Sequence, residues 1–417
     1  MVRDGLKADS CEPPRTLGAV TRSTTQAPTA PGGFPVVGII GAGQLARMCT
    51  APAVELALTL SIFAESEDAA AALVVPHSPV GDYTDAEAVR EWARGCDVVT
   101  FDHEHVPADV LSALEADGVP MHPKPSALRF AQDKLAMRER LEGLGVPCPA
   151  WRAVVDVDEL AAFGDEHGWP VVLKTPTGGY DGKGVRVVKA AEDAADWFAK
   201  AEGAPLLVEE AVDFTRELSV MIGRSPSGQV AVWPVVETVQ TDGICTEVLA
   251  PAPNLDDALA GRIAEAAVTI ARELDVTGVM AVELFERVAE NGSGQSDFVV
   301  NELAMRPHNS GHWSMDGAVT GQFEQHLRAV LDLPLGDVTA RAPWTVMGNV
   351  LGGSYEELYP TYKHLMARDP ALKIHLYGKG VRPGRKIGHV NVSGTDLVGL
   401  RGRARHACDY LEGVVTE

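Results

Sequence analysis

At 417 residues the chain is too long for one ordinary hydrophobic core, and two or three subdomains are expected. Its 46% hydrophobic and 23% charged residues are globular usage, and it lacks the run of about 18 apolar residues that a membrane span needs. A formal charge of −22 excludes a broad basic face for nucleic acid, so phosphates must be met by local clusters of cations.

Residues 1–34 are Pro-, Thr-, Ser-, Gly- and Ala-rich and contain neither apolar periodicity nor the h-region of a signal peptide, which predicts a disordered extension. Order is expected from Phe34. The apolar run Pro35–Ile40 reads as a buried parallel strand, Gly41-Ala42-Gly43-Gln44 as a turn, and Leu45–Met48 as a helix start. Leu58–Phe63, with Glu65 beyond its end, and Asp97–Phe101 read as further strands, so this part is a doubly wound parallel sheet. Gly41, Gly43 and Ala46, with Glu65 after the next strand, match the dinucleotide fingerprint of an NAD-linked oxidoreductase. Pro52 interrupts the helix that should carry the pyrophosphate dipole, which favours a structural turn at the substrate end of the sheet.

The character changes near Ser126. Asp133–Arg138 opens an amphipathic helix that ends at Gly145. Val171–Lys174 and Val185–Val188 are short strands around a loop, Thr175–Gly184, that holds Gly178, Gly179, Gly182 and Gly184. Such a flap can lay backbone N–H groups over phosphates, with Lys174 and Lys183 as cations, although it lacks the Walker spacing. Strands are expected at Pro205–Glu210, Glu217–Ile222, Val230–Val236, Val279–Phe285 and Phe298–Glu302, and a helix at Ala258–Leu274. Backbone groups of Glu209–Val212 can hold an adenine, and Glu217 can accept from ribose hydroxyls.

Glu283 and Glu302 each stand alone within an apolar strand. A carboxylate there is costly without a partner, and Mg²⁺ is the natural one, since it takes one or two carboxylates and fills its octahedron with water and phosphate oxygens. The plainer alternative is two glutamates on the open face of a sheet. Met305–Trp313 is too polar for core and reads as an active-site loop. Lys379, Arg382, Arg385 and Lys386 around Pro383-Gly384 read as a phosphate clamp, or else as a solvated basic turn, within a small third unit. The cysteines Cys11, Cys49, Cys96, Cys148, Cys245 and Cys408 form no CxxC pair, which fits a reducing cytoplasm rather than a zinc or disulfide framework.

Together these motifs resemble those of the ATP-grasp ligases, and more closely the family of N5-carboxyaminoimidazole ribonucleotide synthetases, biotin-independent carboxylases of purine synthesis. The resemblance is carried by Gly41–Met48, by Gly178–Gly184, by Asn301-Glu302-Leu303-Ala304-Met305-Arg306-Pro307-His308-Asn309-Ser310-Gly311-His312-Trp313, and by Arg382-Pro383-Gly384-Arg385-Lys386-Ile387-Gly388-His389. It implies an α/β (α+β ATP-grasp) fold, with a Rossmann-like domain at 35–130, a two-part ATP-grasp domain at 131–335 whose flap subdomain spans about 150–212, and a small C-terminal domain at 340–417. A homodimer is implied as well, with no nucleic acid or membrane as partner.

By resemblance, ATP would meet Arg129, Lys174, Gly179, Tyr180, Asp181, Gly182, Lys183, Gly184, Val185, Glu209, Glu210, Ala211, Val212, Glu217, Gln240, Asn301 and Glu302. Glu283 and Glu302 would hold Mg²⁺, with Mn²⁺ a possible substitute. The ribonucleotide would meet Glu104, Tyr180, Asp181, Lys183, Arg306, His308, Asn309, Ser310, Lys379, Arg385 and Lys386, and the reaction itself would use Asp181, Lys183, Arg306 and His308. Two departures stand out: Gln240 where the family usually has histidine, and Asp102 in place of glutamate. The implied reaction carboxylates 5-aminoimidazole ribonucleotide with bicarbonate and ATP through carboxyphosphate. A formate-dependent ribonucleotide transformylase is the nearest alternative within the superfamily.

Overall fold

The computed structural model describes residues 30–178, 184–289 and 294–416. The flap residues Gly179, Tyr180, Asp181, Gly182 and Lys183, and positions 1–29 of the expected disordered extension, lie outside the described residues. Order begins before Phe34, with a 3-10 turn at Pro31–Gly33.

The first unit is a parallel sheet of three strands in the order β2-β1-β3: β1 Val36–Ile40, β2 Thr59–Phe63 and β3 Val98–Phe101. Every residue of β1 is buried, as its unbroken apolar run requires. The helix after the Gly41 turn is split into Gln44–Met48 and Thr50–Glu55. Pro52 falls in the first turn of the second piece, where its missing N–H breaks no hydrogen bond.

The helix Lys134–Gly143 follows, its first turn capped by the Asp133 carboxylate on the Leu135 and Ala136 N–H groups. A four-stranded antiparallel sheet comes next, in the order β4-β7-β5-β6, built from β4 Trp151–Val154, β5 Val171–Lys174, β6 Val185–Val188 and β7 Leu206–Glu210. The Thr175 N–H donates to the Gly184 carbonyl at 2.9 Å, closing the base of the glycine-rich loop between β5 and β6.

The rest forms one nine-stranded sheet: β8 Arg216–Arg224, β9 Val230–Val232, β10 Val236–Thr241, β11 Ile244–Ala250, β12 Gly278–Val288, β13 Ser296–Ala304, β14 Trp344–Leu351, β15 Lys373–Leu376 and β16 Lys386–Gly394. Its order is β13-β12-β8-β10-β11-β14-β16-β15, with β9 also on β8. The strand expected at Val230–Val236 is two strands, because Pro234 cannot donate to a ladder. Antiparallel pairing of β11 with β14 carries the C-terminal strands into the same sheet as the middle of the chain. Helix Asp257–Glu273 buries Ile263, Ala267 and Ile270 in one core cluster with Val220, Ile222 and Met280 of the sheet. Helix Leu397–Glu412 supplies Leu400, Ala404 and Leu411 to the cluster that contains Val346 of β14 and Val390 of β16.

Candidate active site

Two cavities meet in this frame. The first, of about 580 Å³, lies between the four-stranded sheet and the nine-stranded one. Lys174, Val185, Glu209, Glu210, Ala211 and Val212 line it from one side, and Glu217, Gln240, Glu283, Asn301 and Glu302 from the other. Val172, Val187 and Phe214 give it an apolar end, and the Phe214 ring is stacked on Phe285 with centroids 4.6 Å apart. An apolar slot beside convergent charges suits a flat base with a charged tail.

Glu283 and Glu302 are direct register partners on β12 and β13. The register slips between Glu283 and Leu284, whose partners are Glu302 and Val300, so Asn301 is the extra residue of a β-bulge. Neighbours on a regular strand face opposite ways. At this bulge Asn301 and Glu302 both line the cleft.

Glu217 stands on the adjacent strand, and burial together with the Glu283 charge pushes its carboxyl up to about 7. Burial would raise Glu283 too, but its hydrogen bond from His308 and then the His308 charge outweigh that, and it sits below the ordinary carboxylate range. His308 Nε2 is 3.1 Å from Glu283 Oε1, and Lys134 Nζ is 2.9 Å from Glu302 Oε1. Among the described residues no group of three or more His, Cys, Asp and Glu side chains is arranged to hold a metal ion. Two hard carboxylates facing a phosphate-sized cleft are nonetheless the donor set Mg²⁺ uses, with phosphate and water oxygens completing its shell. Burial is the larger cause of the Glu217 rise, but the Glu283 charge adds to it, and a cation on Glu283 and Glu302 would offset that part, so these residues fit the ion.

The second cavity, of about 450 Å³, is lined by Gly43, Gln44, Leu45, Asp102, Ile244, Arg306, His308, Asn309, Lys379, Gly384, Arg385 and Lys386. His308, Asn309 and Lys386 line both cavities, so the loop after β13 and the start of β16 stand between them. Ser310 is almost fully buried yet lines the first cavity, its Oγ 2.7 Å from Ser219 Oγ and 2.9 Å from His308 Nδ1, which orients the imidazole. Arg306 donates from Nε to Glu104 Oε2 at 2.8 Å, tying the second cavity to the loop after β3. Burial alone would raise the Glu104 carboxyl, but the Arg306 charge and hydrogen bond hold it below its ordinary value.

The Gly41 turn takes a place that its fingerprint did not suggest. Gly41 has φ +96°, and a Cβ there would come within 2.8 Å of His103. A Cβ on Gly43 would lie 2.2 Å from Asp102 Oδ2. The Asp102 carboxylate accepts from the Gly43 N–H at 3.1 Å and the Ala46 N–H at 2.7 Å, and Glu65 accepts from the Ala42 N–H at 3.1 Å. The helix start therefore already carries its own anion, which removes the seat for a pyrophosphate and with it the dinucleotide reading. Gln44 instead receives Lys379 Nζ at 2.6 Å and seats the C-terminal basic turn against the first unit.

Lys379, Arg385 and Lys386 line the second cavity, whereas Arg382 is exposed and does not. Arg129 is exposed on helix Pro125–Gln132 and does not line the first cavity, whereas Lys134 at the start of the next helix does, together with Lys174 and Lys386. Tyr180, Asp181 and Lys183 lie outside the described residues. Sequence reasoning passed over Lys134, Gln44, Phe214 and the buried Arg138. The one available signal was Lys134, a cation placed directly after the capping Asp133.

Three family models match the chain: a ribonucleotide synthetase preATP-grasp domain at 35–132, an ATP-grasp domain at 139–323 and a phosphoribosylaminoimidazole carboxylase C-terminal domain at 345–403. The N5-carboxyaminoimidazole ribonucleotide synthase of Mycobacterium tuberculosis (strain ATCC 25618 / H37Rv) is 50% identical over 382 residues, 90% of this chain and 88% of that protein. The protein of the same description from Corynebacterium ammoniagenes is 48% identical over 394 residues, 91% of this chain and 92% of its own. The crystal structure of the Aspergillus clavatus N5-carboxyaminoimidazole synthase with ADP and 5-aminoimidazole ribonucleotide superposes with a TM-score of 0.80 at 32% identity, covering 91% of this chain and 99% of that one. An ADP complex of an N5-carboxyaminoimidazole ribonucleotide synthetase gives a TM-score of 0.81 at 33% identity over 91% and 98% of the two chains.

Proposed function

The chain belongs to the N5-carboxyaminoimidazole ribonucleotide synthase family of ATP-grasp ligases, and we propose that its two cavities divide that family's substrates between them. As a member it is an ATP-dependent enzyme of purine biosynthesis, converting 5-aminoimidazole ribonucleotide and bicarbonate into the N5-carboxy product. The larger cleft takes ATP and the smaller, cationic cavity takes the ribonucleotide. The observation that carries this reading is the shared lining by His308, Asn309 and Lys386, which makes one opening of the wall the place of reaction.

The base of ATP occupies the slot of Val172, Val187, Phe214 and Phe285, and Glu217 receives its ribose. Lys174 and Lys134 face the phosphates. Glu283 and Glu302 would hold Mg²⁺, which would supply charge neutralisation at the phosphoryl oxygens when bound. A bicarbonate oxygen attacks the γ-phosphorus and the bond to ADP breaks, which gives carboxyphosphate. The ribonucleotide phosphate sits on Lys379, Arg385 and Lys386, and Arg306, braced by Glu104, faces the reacting end. That fixed span orients the exocyclic amine toward the shared wall, where a C–N bond forms and phosphate leaves. The departing phosphate, a base, takes the amine's proton. Carboxyphosphate hydrolyses readily, so productive transfer requires that water be kept from the shared wall. A homodimer, which the family resemblance implies, in a reducing cytoplasm, which the scattered cysteines fit, completes the reading.

Bicarbonate labelled with oxygen-18 tests the route. One labelled oxygen should appear in each inorganic phosphate released, and unlabelled phosphate would rule out attack by bicarbonate on ATP.

A further inference from the structure

Arg138 is fully buried on helix Lys134–Gly143, yet it lines neither cavity. Its Nε donates to Glu209 Oε1 at 2.5 Å, its Nη1 to the Val300 carbonyl at 2.8 Å and its Nη2 to the Asn301 carbonyl at 2.7 Å. One guanidinium thus joins Glu209 near the end of β7, in the four-stranded sheet, to the bulge of β13, in the nine-stranded sheet. The planar fork matches this task, because two parallel N–H groups reach two successive carbonyls while Nε keeps the carboxylate.

The other oxygen of the same carboxylate, Glu209 Oε2, accepts from Lys174 Nζ at 2.7 Å, and Lys174 also reaches Asn301 Oδ1 at 3.3 Å. Burial would raise the Glu209 carboxyl, but the two cations outweigh it and keep it ionised. Two cations therefore share one anion, and the group carries one net positive charge. Of the two cations, Lys174 is the one on the cleft wall, so that charge faces the cleft. Without Arg138, Lys174 and Glu209 would form a neutral pair.

We infer that Arg138 is a positioning residue with two effects: it frees the charge of Lys174 for the phosphates of the nucleotide, and it clamps the β13 bulge that turns Asn301 and Glu302 into the cleft. The inference rests on the cleft being the nucleotide site. It extends that reading to a side chain that touches neither substrate.

Calorimetric binding of ADP and of 5-aminoimidazole ribonucleotide, with turnover, tests it on Arg138→Met, Arg138→Lys and the double variant Arg138→Met/Glu209→Gln. Arg138→Met should weaken ADP by about tenfold or more and leave ribonucleotide binding within about twofold, since the second cavity is untouched. The double variant removes both buried charges and restores the net charge on Lys174, so it should bind ADP several-fold more tightly than Arg138→Met. Arg138→Lys keeps the charge but not the fork, so ADP binding should hold while kcat falls by about tenfold as Glu302 loses its aim. A purely structural brace would weaken both ligands alike and give no recovery in the double variant, and either result would overturn the inference. If Arg138→Met does not fold, wild-type kcat in Arg138→Lys overturns it alone. Absence of ADP binding by the wild-type chain would instead overturn the cleft assignment beneath it.

Discussion

Lys134 and Arg129 stand a few residues apart in sequence but in different surroundings, and exchanging each for methionine separates them. The Lys134 side chain is 10% exposed, with its ammonium 2.9 Å from Glu302 Oε1 and facing the cleft. Arg129 is exposed on the preceding helix. A hydrogen bond to a charged group is worth about 1.5–3 kcal/mol net, and each 1.4 kcal/mol is a factor of ten, so Lys134→Met should raise KM for ATP by about tenfold to a hundredfold. Release of Glu302 adds negative charge opposite the triphosphate and acts in the same direction. KM for the ribonucleotide should stay within about twofold, because Lys134 does not line the second cavity, and Arg129→Met should leave both constants near wild type. Steady-state ADP release, with one substrate varied at a time and thermal melting to verify the fold, reads all of these. A raised KM for ATP in Arg129→Met with none in Lys134→Met would refute the placement of the phosphate-facing cation.

Glu302→Gln should abolish ADP release while its melting temperature stays close to that of the parent, and wild-type turnover would contradict its role as a metal ligand. Arg385→Ala should raise KM for the ribonucleotide by about tenfold and spare KM for ATP, and an unchanged ribonucleotide KM would make the basic turn a surface feature. His326 ties the first unit to β12, with Nε2 2.8 Å from Thr100 Oγ1 and Nδ1 accepting from the Val279 N–H at 3.0 Å. Burial, and then the His122 charge, drives its imidazole from 6.5 down to about 3. Its contribution is complete above pH 6.5 and is lost as pH falls toward 3, because the unfolded chain then binds a proton that the folded chain does not. Denaturant unfolding should therefore show the stability gap between wild type and His326→Asn narrowing by about 2 kcal/mol from pH 7 to pH 5. A gap independent of pH would refute this.

Much of this site was legible because its signals are local. The apolar run before Gly41 could only be a buried strand, and Glu283 and Glu302 betrayed themselves as lone carboxylates among apolar neighbours. What stayed hidden depends on contacts between distant residues. The bulge at Asn301 exists only in the register of β13 against β12. Asp102 occupies the helix start at Gly43 from 59 positions away, and no local pattern announces that the fingerprint's anion site is already filled. Arg138 reads in sequence as one more cation on an amphipathic helix, and its burial follows from a carboxylate 71 residues on. The pairing of β11 with β14 likewise joins a unit that composition alone would set apart.

The central claim is that the two cavities couple ATP cleavage to carboxylation of the ribonucleotide. Its most direct measurement is ADP release by the wild-type chain with 5-aminoimidazole ribonucleotide present, supplied in turn with bicarbonate and with formate. ADP release that rises sharply with bicarbonate and stays at background with formate is the predicted result. Release driven by formate, or release indifferent to both, would contradict the account.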